Sequence, residues 1–225
     1  VFSKEVDRFN FGGIFENLIF NPFEAQIDTG NMMQALLKKA YQNDILILNN
    51  QTVTSFQELN DGVEVETNGV TFKTNKLLFT TNGFASQLTN NQVKPARAQV
   101  LITKPIPNLD IKGTFHLDKG YFYFRNINDR ILFGGGRNLD FAGETTTSHD
   151  TTELIQNRLE EFLKTVILPH QEFEIEHRWS GTMGVGTHKK PIVEQLSNHI
   201  YCGVRMGGMG VAIGSLVGQE LADLV

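Results

Sequence analysis

Apolar residues recur at helical spacing at Met32, Met33, Leu36, Leu37 and Ala40, so a helix is expected to begin at Thr29 or Gly30 and to stop at Asn43-Asp44. The short apolar run Ile45-Leu46-Ile47-Leu48 then reads as a buried strand following a helix. From residue 51 the pattern changes to alternation. Residues 51–59, 63–67 and 70–73 alternate apolar with polar, and the turn signals Asn60-Asp61-Gly62 and Asn68-Gly69 separate them. That is a three-stranded meander with its apolar residues on one face. Residues 76–80 form another apolar run, ending in the polar turn Thr81-Asn82-Gly83. The first 90 residues therefore resemble the later half of an α/β layer carrying a small antiparallel insert.

The texture shifts after Val93. Residues 99–103, 114–117, 121–126, 130–133 and 173–180 read as strands, and Asp118-Lys119-Gly120 and Asn128-Asp129 read as turns. Leu154, Ile155, Leu159, Phe162, Leu163 and Val166 share one helical face, with Pro169 just beyond the end. An antiparallel sheet covered by a helix follows, expected as a separate domain. Near the C-terminus residues 200–204 form an apolar strand, Met206-Gly207-Gly208-Met209-Gly210 a turn, and Val211, Ile213, Leu216, Val217, Leu221 and Leu224 one face of a last helix. The opening residues 1–28 have six phenylalanines but no clean period.

Composition narrows the function classes. The chain is 40% hydrophobic and 20% charged, which is globular and excludes disorder, collagen and coiled coil. A net charge of −5 argues against bulk attraction to nucleic acid or an acidic membrane. No apolar run reaches the roughly 20 residues of a membrane helix. The lone Cys202 excludes an internal disulfide and a multi-cysteine metal site, and with no signal-peptide core at Val1-Phe2-Ser3-Lys4 a cytoplasmic location is expected. That opening also lacks an initiator Met, and preceding residues are expected to have been lost. The six histidines show no metal-ligand spacing.

The strand, glycine turn and helix at residues 200–224 carry the clearest chemistry. Glycines let a backbone approach a ligand, and a helix start offers unpaired N–H groups and partial positive charge. Such a turn binds an anion or stabilises developing negative charge, or else only packs a helix tightly on a sheet. No G-x-G-x-x-G dinucleotide pattern occurs in the chain. Tyr121, Tyr123 and Arg125 alternate, so they share a strand face on which two phenols and a guanidinium are able to bind a carboxylate. His188-Lys189-Lys190 is a basic spot that reads either as a phosphate contact or as a solvated loop.

Several segments fall in a recognisable order: Thr52-Val53, Phe79-Thr80-Thr81-Asn82-Gly83-Phe84, Pro95-Ala96-Arg97-Ala98-Gln99, Gly120-Tyr121-Phe122-Tyr123-Phe124-Arg125, Phe133-Gly134-Gly135-Gly136-Arg137, Arg178-Trp179-Ser180-Gly181 and the Gly207 turn. Together they resemble the FAD-dependent amine oxidoreductases that include D-amino-acid oxidase, glycine oxidase and sarcosine oxidase. The resemblance implies α/β with α+β architecture: a partial three-layer FAD-binding domain (residues 1–90 and 179–225) and an antiparallel-sheet substrate-binding domain (residues 91–178). It implies oxidation of a C–N bond of an amine or amino acid by hydride transfer to flavin N5. The family's N-terminal glycine-rich βαβ unit has no counterpart here, so the chain resembles the C-terminal portion. The missing N-terminal segment is then a partner, and the isolated chain is expected to bind FAD weakly and to be inactive.

By the same resemblance, Met206, Gly207, Gly208, Met209, Gly210 and Val211 would lie against the isoalloxazine, Val53 would meet the adenine, and Thr81, Asn82 and Gly83 would pass near the ADP moiety. Tyr121, Tyr123 and Arg125 would face a small-molecule amine substrate. Where several relatives have an Arg-Pro pair, this chain has Thr182-Met183-Gly184, so the usual carboxylate clamp is absent. No cysteine stands near that segment, which implies non-covalent FAD. Two alternatives stand beside this reading. One is a non-catalytic binding module on the same scaffold. The other is an oxidoreductase acting on a modified tRNA amine, against which the acidic balance argues.

Overall fold

The computed structural model describes residues 2–3, 5–15, 17–90 and 92–225. In chain order the regular elements are β1 (Phe2–Ser3), β2 (Leu18–Ile19), α1 (Thr29–Gln42), β3 (Val53–Leu59), β4 (Gly62–Thr67), β5 (Thr71–Thr74), β6 (Leu77–Phe79) and β7 (Lys94–Thr103). They continue with β8 (Thr114–Leu117), β9 (Phe122–Ile127), β10 (Arg130–Gly135), α2 (Glu153–Phe162), β11 (Ile175–Val185), β12 (Ile192–Gln195), β13 (Ile200–Val204) and α3 (Gly210–Asp223). The fold is mixed α/β with antiparallel sheets, as the apolar pattern implied. Two compact units result: Val1–Asp28 with Arg97–Thr182, and Thr29–Ala96 with Met183–Val225.

The first unit is built on a sheet of order β11-β7-β10-β9-β8. Alternation along β7 and β10 sends Leu101, Ile131 and Phe133 to one face, where Ile155, Leu159 and Leu163 of α2 and the turn after it bury against them. Those three helix positions fall at i, i+4 and i+8, the spacing that gives a helix one apolar face. A π-helical turn, Leu163–Ile167, continues α2 and keeps Ile167 buried.

Residues 1–28 belong with this sheet, whereas the sequence grouped them with the FAD-binding part. The reason is aromatic packing. Phe11 meets Phe115 and Phe124 edge-on at 5.4 and 5.6 Å, and Phe115 and Phe124 stack at 4.6 Å. Gly12 donates to the Val166 carbonyl at 2.8 Å, and a Cβ there would stand 2.4 Å from the Thr165 carbonyl oxygen. The boundaries between the units also fall at 96/97 and 182/183 rather than at 90/91 and 178/179, inside the long strands β7 and β11.

The second unit holds a sheet of order β12-β13-β6 and the expected meander β3-β4-β5. Strands β13 and β6 run parallel, with Ile200 opposite Leu77 and Cys202 opposite Phe79. The buried residues Val63, Val65, Phe79, Ala85, Val93, Ile192, Cys202 and Val204 form its core. Helix α3 buries Val217 and Leu221, which close on Gly203 of β13; a Cβ there would stand 3.3 and 3.1 Å from them.

One sequence expectation fails. Ile45-Leu46-Ile47-Leu48 forms no strand, and Leu46 is 81% exposed. Helix α1 likewise buries no residue, although its apolar spacing is present. An apolar run becomes a strand only when a neighbouring edge accepts its hydrogen bonds, and among the described residues none lies beside this one. Strand β6 is the last of its sheet, so its outer edge is also unpaired among the described residues.

Cys202 is fully buried in β13. Burial, reinforced by the nearby Glu194 carboxylate, pushes its thiol pKa up and keeps it protonated. Ellman's reagent at pH 8 is therefore expected to leave the native thiol unmodified and to titrate one thiol after denaturation in guanidinium. Rapid reaction of the native chain would show that β13 is accessible.

Candidate functional site

In the second unit three segments converge at the C-terminal end of β13. The chain leaves the strand through Arg205, a non-glycine residue at φ +63°, and turns at Gly207, φ +58°. The Met206 amide donates to Asn82 Oδ1 at 3.0 Å, and the Gly207 amide donates to the Gly184 carbonyl at 2.9 Å. Asn82 itself takes φ +45°, a conformation its short polar side chain tolerates. A Cβ on Gly184 would stand 2.6 Å from Asn82 Oδ1 and 3.0 Å from the Gly83 amide nitrogen, so a larger residue there would push the two turns apart.

Helix α3 starts from this turn. Its Met209 carbonyl accepts from both Ala212 and Ile213, and no side chain caps its N-terminus. Its first N–H groups lack intrahelical acceptors. Open space faces the turn: a Cβ on Gly207 would meet nothing within 4 Å, and one on Gly208 only Met183 Sδ at 3.8 Å. The result is a backbone-lined surface with partial positive charge, suited to a flat, electron-rich ring or an anion.

Of the residues singled out from the sequence, Asn82, Gly83, Met206, Gly207, Gly208, Met209, Gly210 and Val211 are gathered here, with Thr81 next to Asn82. Val53 is not tied to this cluster; it pairs with Thr67 at the exposed start of β3, beside a register shift. Met183 and Gly184 were missed as site residues. The Thr182-Met183-Gly184 stretch stands out in the sequence for lacking an Arg-Pro pair and a nearby cysteine, although a glycine in a long strand signals close backbone approach.

In the first unit, Tyr123 and Arg125 of β9 and Tyr121 just before it lie on one side, while Phe122 and Phe124 are buried on the other. Tyr123 lies across the strand to Gly134 of β10, where a Cβ would come within 3.1 Å of its ring and 2.4 Å of Val100 Cγ1. Burial pushes the Tyr123 phenol pKa up. Arg125 Nη1 donates to the Ile27 carbonyl at 2.5 Å. Among the described residues no ion pair to Arg125 is formed, and the Ile27 carbonyl holds its guanidinium in place. Tyr121 meets Phe141 edge-on at 6.2 Å, and the Arg137 guanidinium covers the Phe141 ring at 5.0 Å.

The same unit holds a buried polar network around Glu144, a residue that no sequence motif marks. Arg97 grips Glu144 with two bonds, Nε to Oε2 at 2.9 Å and Nη2 to Oε1 at 2.7 Å. Gln99 Nε2 donates to both Glu144 Oε1 and Thr152 Oγ1 at 2.9 Å, and Gln156 bonds Gln99 and Arg178. The two hydrogen bonds from Arg97 to Glu144 outweigh desolvation and hold Arg97 in its charged form. No group of His, Cys, Asp and Glu able to hold a metal occurs among the described residues, nor does any helix long and apolar enough to cross a membrane.

Comparison with known proteins agrees with these features. Residues 4–224 match the family described as DAO, FAD dependent oxidoreductase. A probable oxidoreductase, OrdL, of Haemophilus influenzae is 19% identical over 94% of this chain and 50% of its own length. L-proline dehydrogenase from P. horikoshii superposes with a TM-score of 0.74 at 21% identity, covering 91% of this chain and 57% of that one. Glycine oxidase from Geobacillus kaustophilus gives 0.74 at 16% identity, covering 88% and 54%. The chain thus spans about half the length of the proteins it matches. Since the family match runs over nearly every residue, from the opening aromatic segment through the last helix, the chain belongs to the FAD dependent oxidoreductase family.

Proposed function

We propose that the chain is the C-terminal part of a flavoenzyme that oxidises the C–N bond of an amine or amino acid. The observation that carries this reading is the convergence of Asn82, Gly184 and residues 206–211 on a turn whose backbone is left open at Gly207 and Gly208. The residues present fit FAD: the open space at Gly207 and Gly208 admits a planar ring against the backbone, and the uncapped start of α3 favours negative charge there. When bound, FAD supplies the hydride acceptor. The lone cysteine is buried in β13, which supports a cofactor held without a thioether bond.

The chain's own residues contribute orientation. Arg125, fixed by the Ile27 carbonyl, offers its guanidinium to a substrate carboxylate, while Tyr121 and Tyr123 add two phenols on the same side. We further propose that a glycine-rich βαβ unit outside this chain completes the cofactor domain. The open edge of β6, the exposed run 45–48 and the half-length match support it.

Anaerobic mixing of the full-length protein with D-amino acids, N-methyl amino acids and polyamines tests the reaction. Bleaching of the flavin by at least one panel member is expected; flavin-containing protein that none of them bleaches would overturn the amine assignment. Replacing Arg125 by Met should weaken carboxylate substrates about tenfold or more, corresponding to ~1.4–3 kcal/mol, with little change for polyamines. Equal affinity for every carboxylate would remove Arg125 from the site.

A further inference from the structure

A groove of about 680 Å³ runs between α3 and the β12 edge of the second unit. Its floor carries Arg205, only 8% exposed. The Arg205 Nε donates to the Lys190 carbonyl at 2.9 Å, and Nη1 reaches the Gln92 carbonyl at 3.5 Å. Gly186 makes room for this side chain, since a Cβ there would stand 2.7 Å from Arg205 Cδ and 2.6 Å from the Gln92 oxygen. Among the described residues no carboxylate forms an ion pair with Arg205. A buried guanidinium with carbonyl partners alone is unusual, because carbonyls satisfy hydrogen bonds without neutralising charge.

We infer that this groove binds an organic monoanion: a carboxylate head on Arg205 with an apolar tail along α3. Three cations (Arg205, Lys189 and Lys190) and two carboxylates (Glu194 and Glu220) line it, leaving one net positive charge. A monoanion balances that charge, and a phosphate dianion exceeds it beside the two glutamates. With Nε engaged by Lys190 and one Nη1 hydrogen by Gln92, the guanidinium keeps Nη2 and its second Nη1 hydrogen for a carboxylate. Ile213 and Leu216 of α3, with Met209 just before it, form an apolar wall, and the volume suits a small organic molecule. This assignment is independent of the substrate face, which lies in the other unit.

Isothermal titration of the full-length protein with sodium octanoate tests it, with octylamine and inorganic phosphate as comparison probes. One octanoate per chain is expected, with affinity falling as salt rises and with neither comparison probe binding comparably. Arg205→Met should weaken octanoate about tenfold or more. Leu216→Glu, at an exposed wall position, provides a second reading that leaves the buried Arg205 intact and should weaken it similarly. Arg125→Met should leave octanoate binding unchanged. No heat of binding, equal binding of octylamine, or loss through Arg125→Met with Leu216→Glu unaffected would overturn the assignment.

Discussion

Glu144→Ala is expected to lower the unfolding free energy of the first unit by about 3–5 kcal/mol. Glu144 is 1% exposed, and among the described residues its carboxylate is the only one bonded to the guanidinium of Arg97, itself buried. Removing it leaves a charge in a low-dielectric interior together with two unmet donors. Gln99 also loses an acceptor, and through Thr152 and Gln156 the loss reaches the start of α2. Because a domain holds only about 5–15 kcal/mol in all, the change is large. Urea unfolding monitored by Trp179 fluorescence measures it. The paired variant Arg97→Met with Glu144→Met should lose less than Glu144→Ala alone, since it leaves no orphaned charge. A loss below about 1 kcal/mol for Glu144→Ala would mean that water reaches Arg97.

Gly135→Ala is expected to be nearly as damaging, at about 3 kcal/mol or more. Gly135 sits at φ +123°, and its Cβ would stand 2.1 Å from the Tyr121 carbonyl oxygen and 2.7 Å from Phe122 Cα. Both atoms are backbone. They are held by the pairing of Gly135 with Phe122 and by the Gly136 amide donating to Tyr121 at 3.0 Å. The strands must separate, and Tyr121 moves with them. Gly120→Ala is the control: φ is +86°, but nothing lies within 4 Å of its Cβ, so only the conformational cost of about 1–2 kcal/mol remains. Thermal unfolding of the two variants should therefore separate them. Equal midpoints would show that the β9–β10 connection relaxes freely.

Much of the fold was legible because its signals are local. Alternation with Asn-Gly and Asp-Gly turns marked the meander β3-β4-β5, and the face Ile155, Leu159, Leu163 marked α2. Signals that depend on a partner misled. The run Ile45–Leu48 has strand composition, yet strandedness belongs to the pair of edges and not to the run. Residues 1–28 have no period, and contacts such as those of the Phe11 ring and the Gly12 amide reveal where they pack. At the candidate site the glycine turn was visible as Gly207-Gly208-Met209-Gly210. Its support from Gly184 and the Asn82 side chain was not, because those positions lie far apart in the chain and each meets the turn through a single hydrogen bond from a backbone amide. Glu144 carried no motif, and its importance comes from burial beside Arg97.

The turn's role is tested most directly by titrating FAD into the full-length Gly207→Asn protein and following the flavin absorbance. Asparagine tolerates the left-handed conformation at φ +58° and meets no atom within 4 Å at its Cβ, so the fold should persist with an unchanged unfolding midpoint. Its side chain would occupy the space proposed for the ring, and FAD affinity should fall about tenfold or more, at least ~1.4 kcal/mol. Undiminished FAD binding by that variant would contradict the placement of the cofactor against residues 206–211.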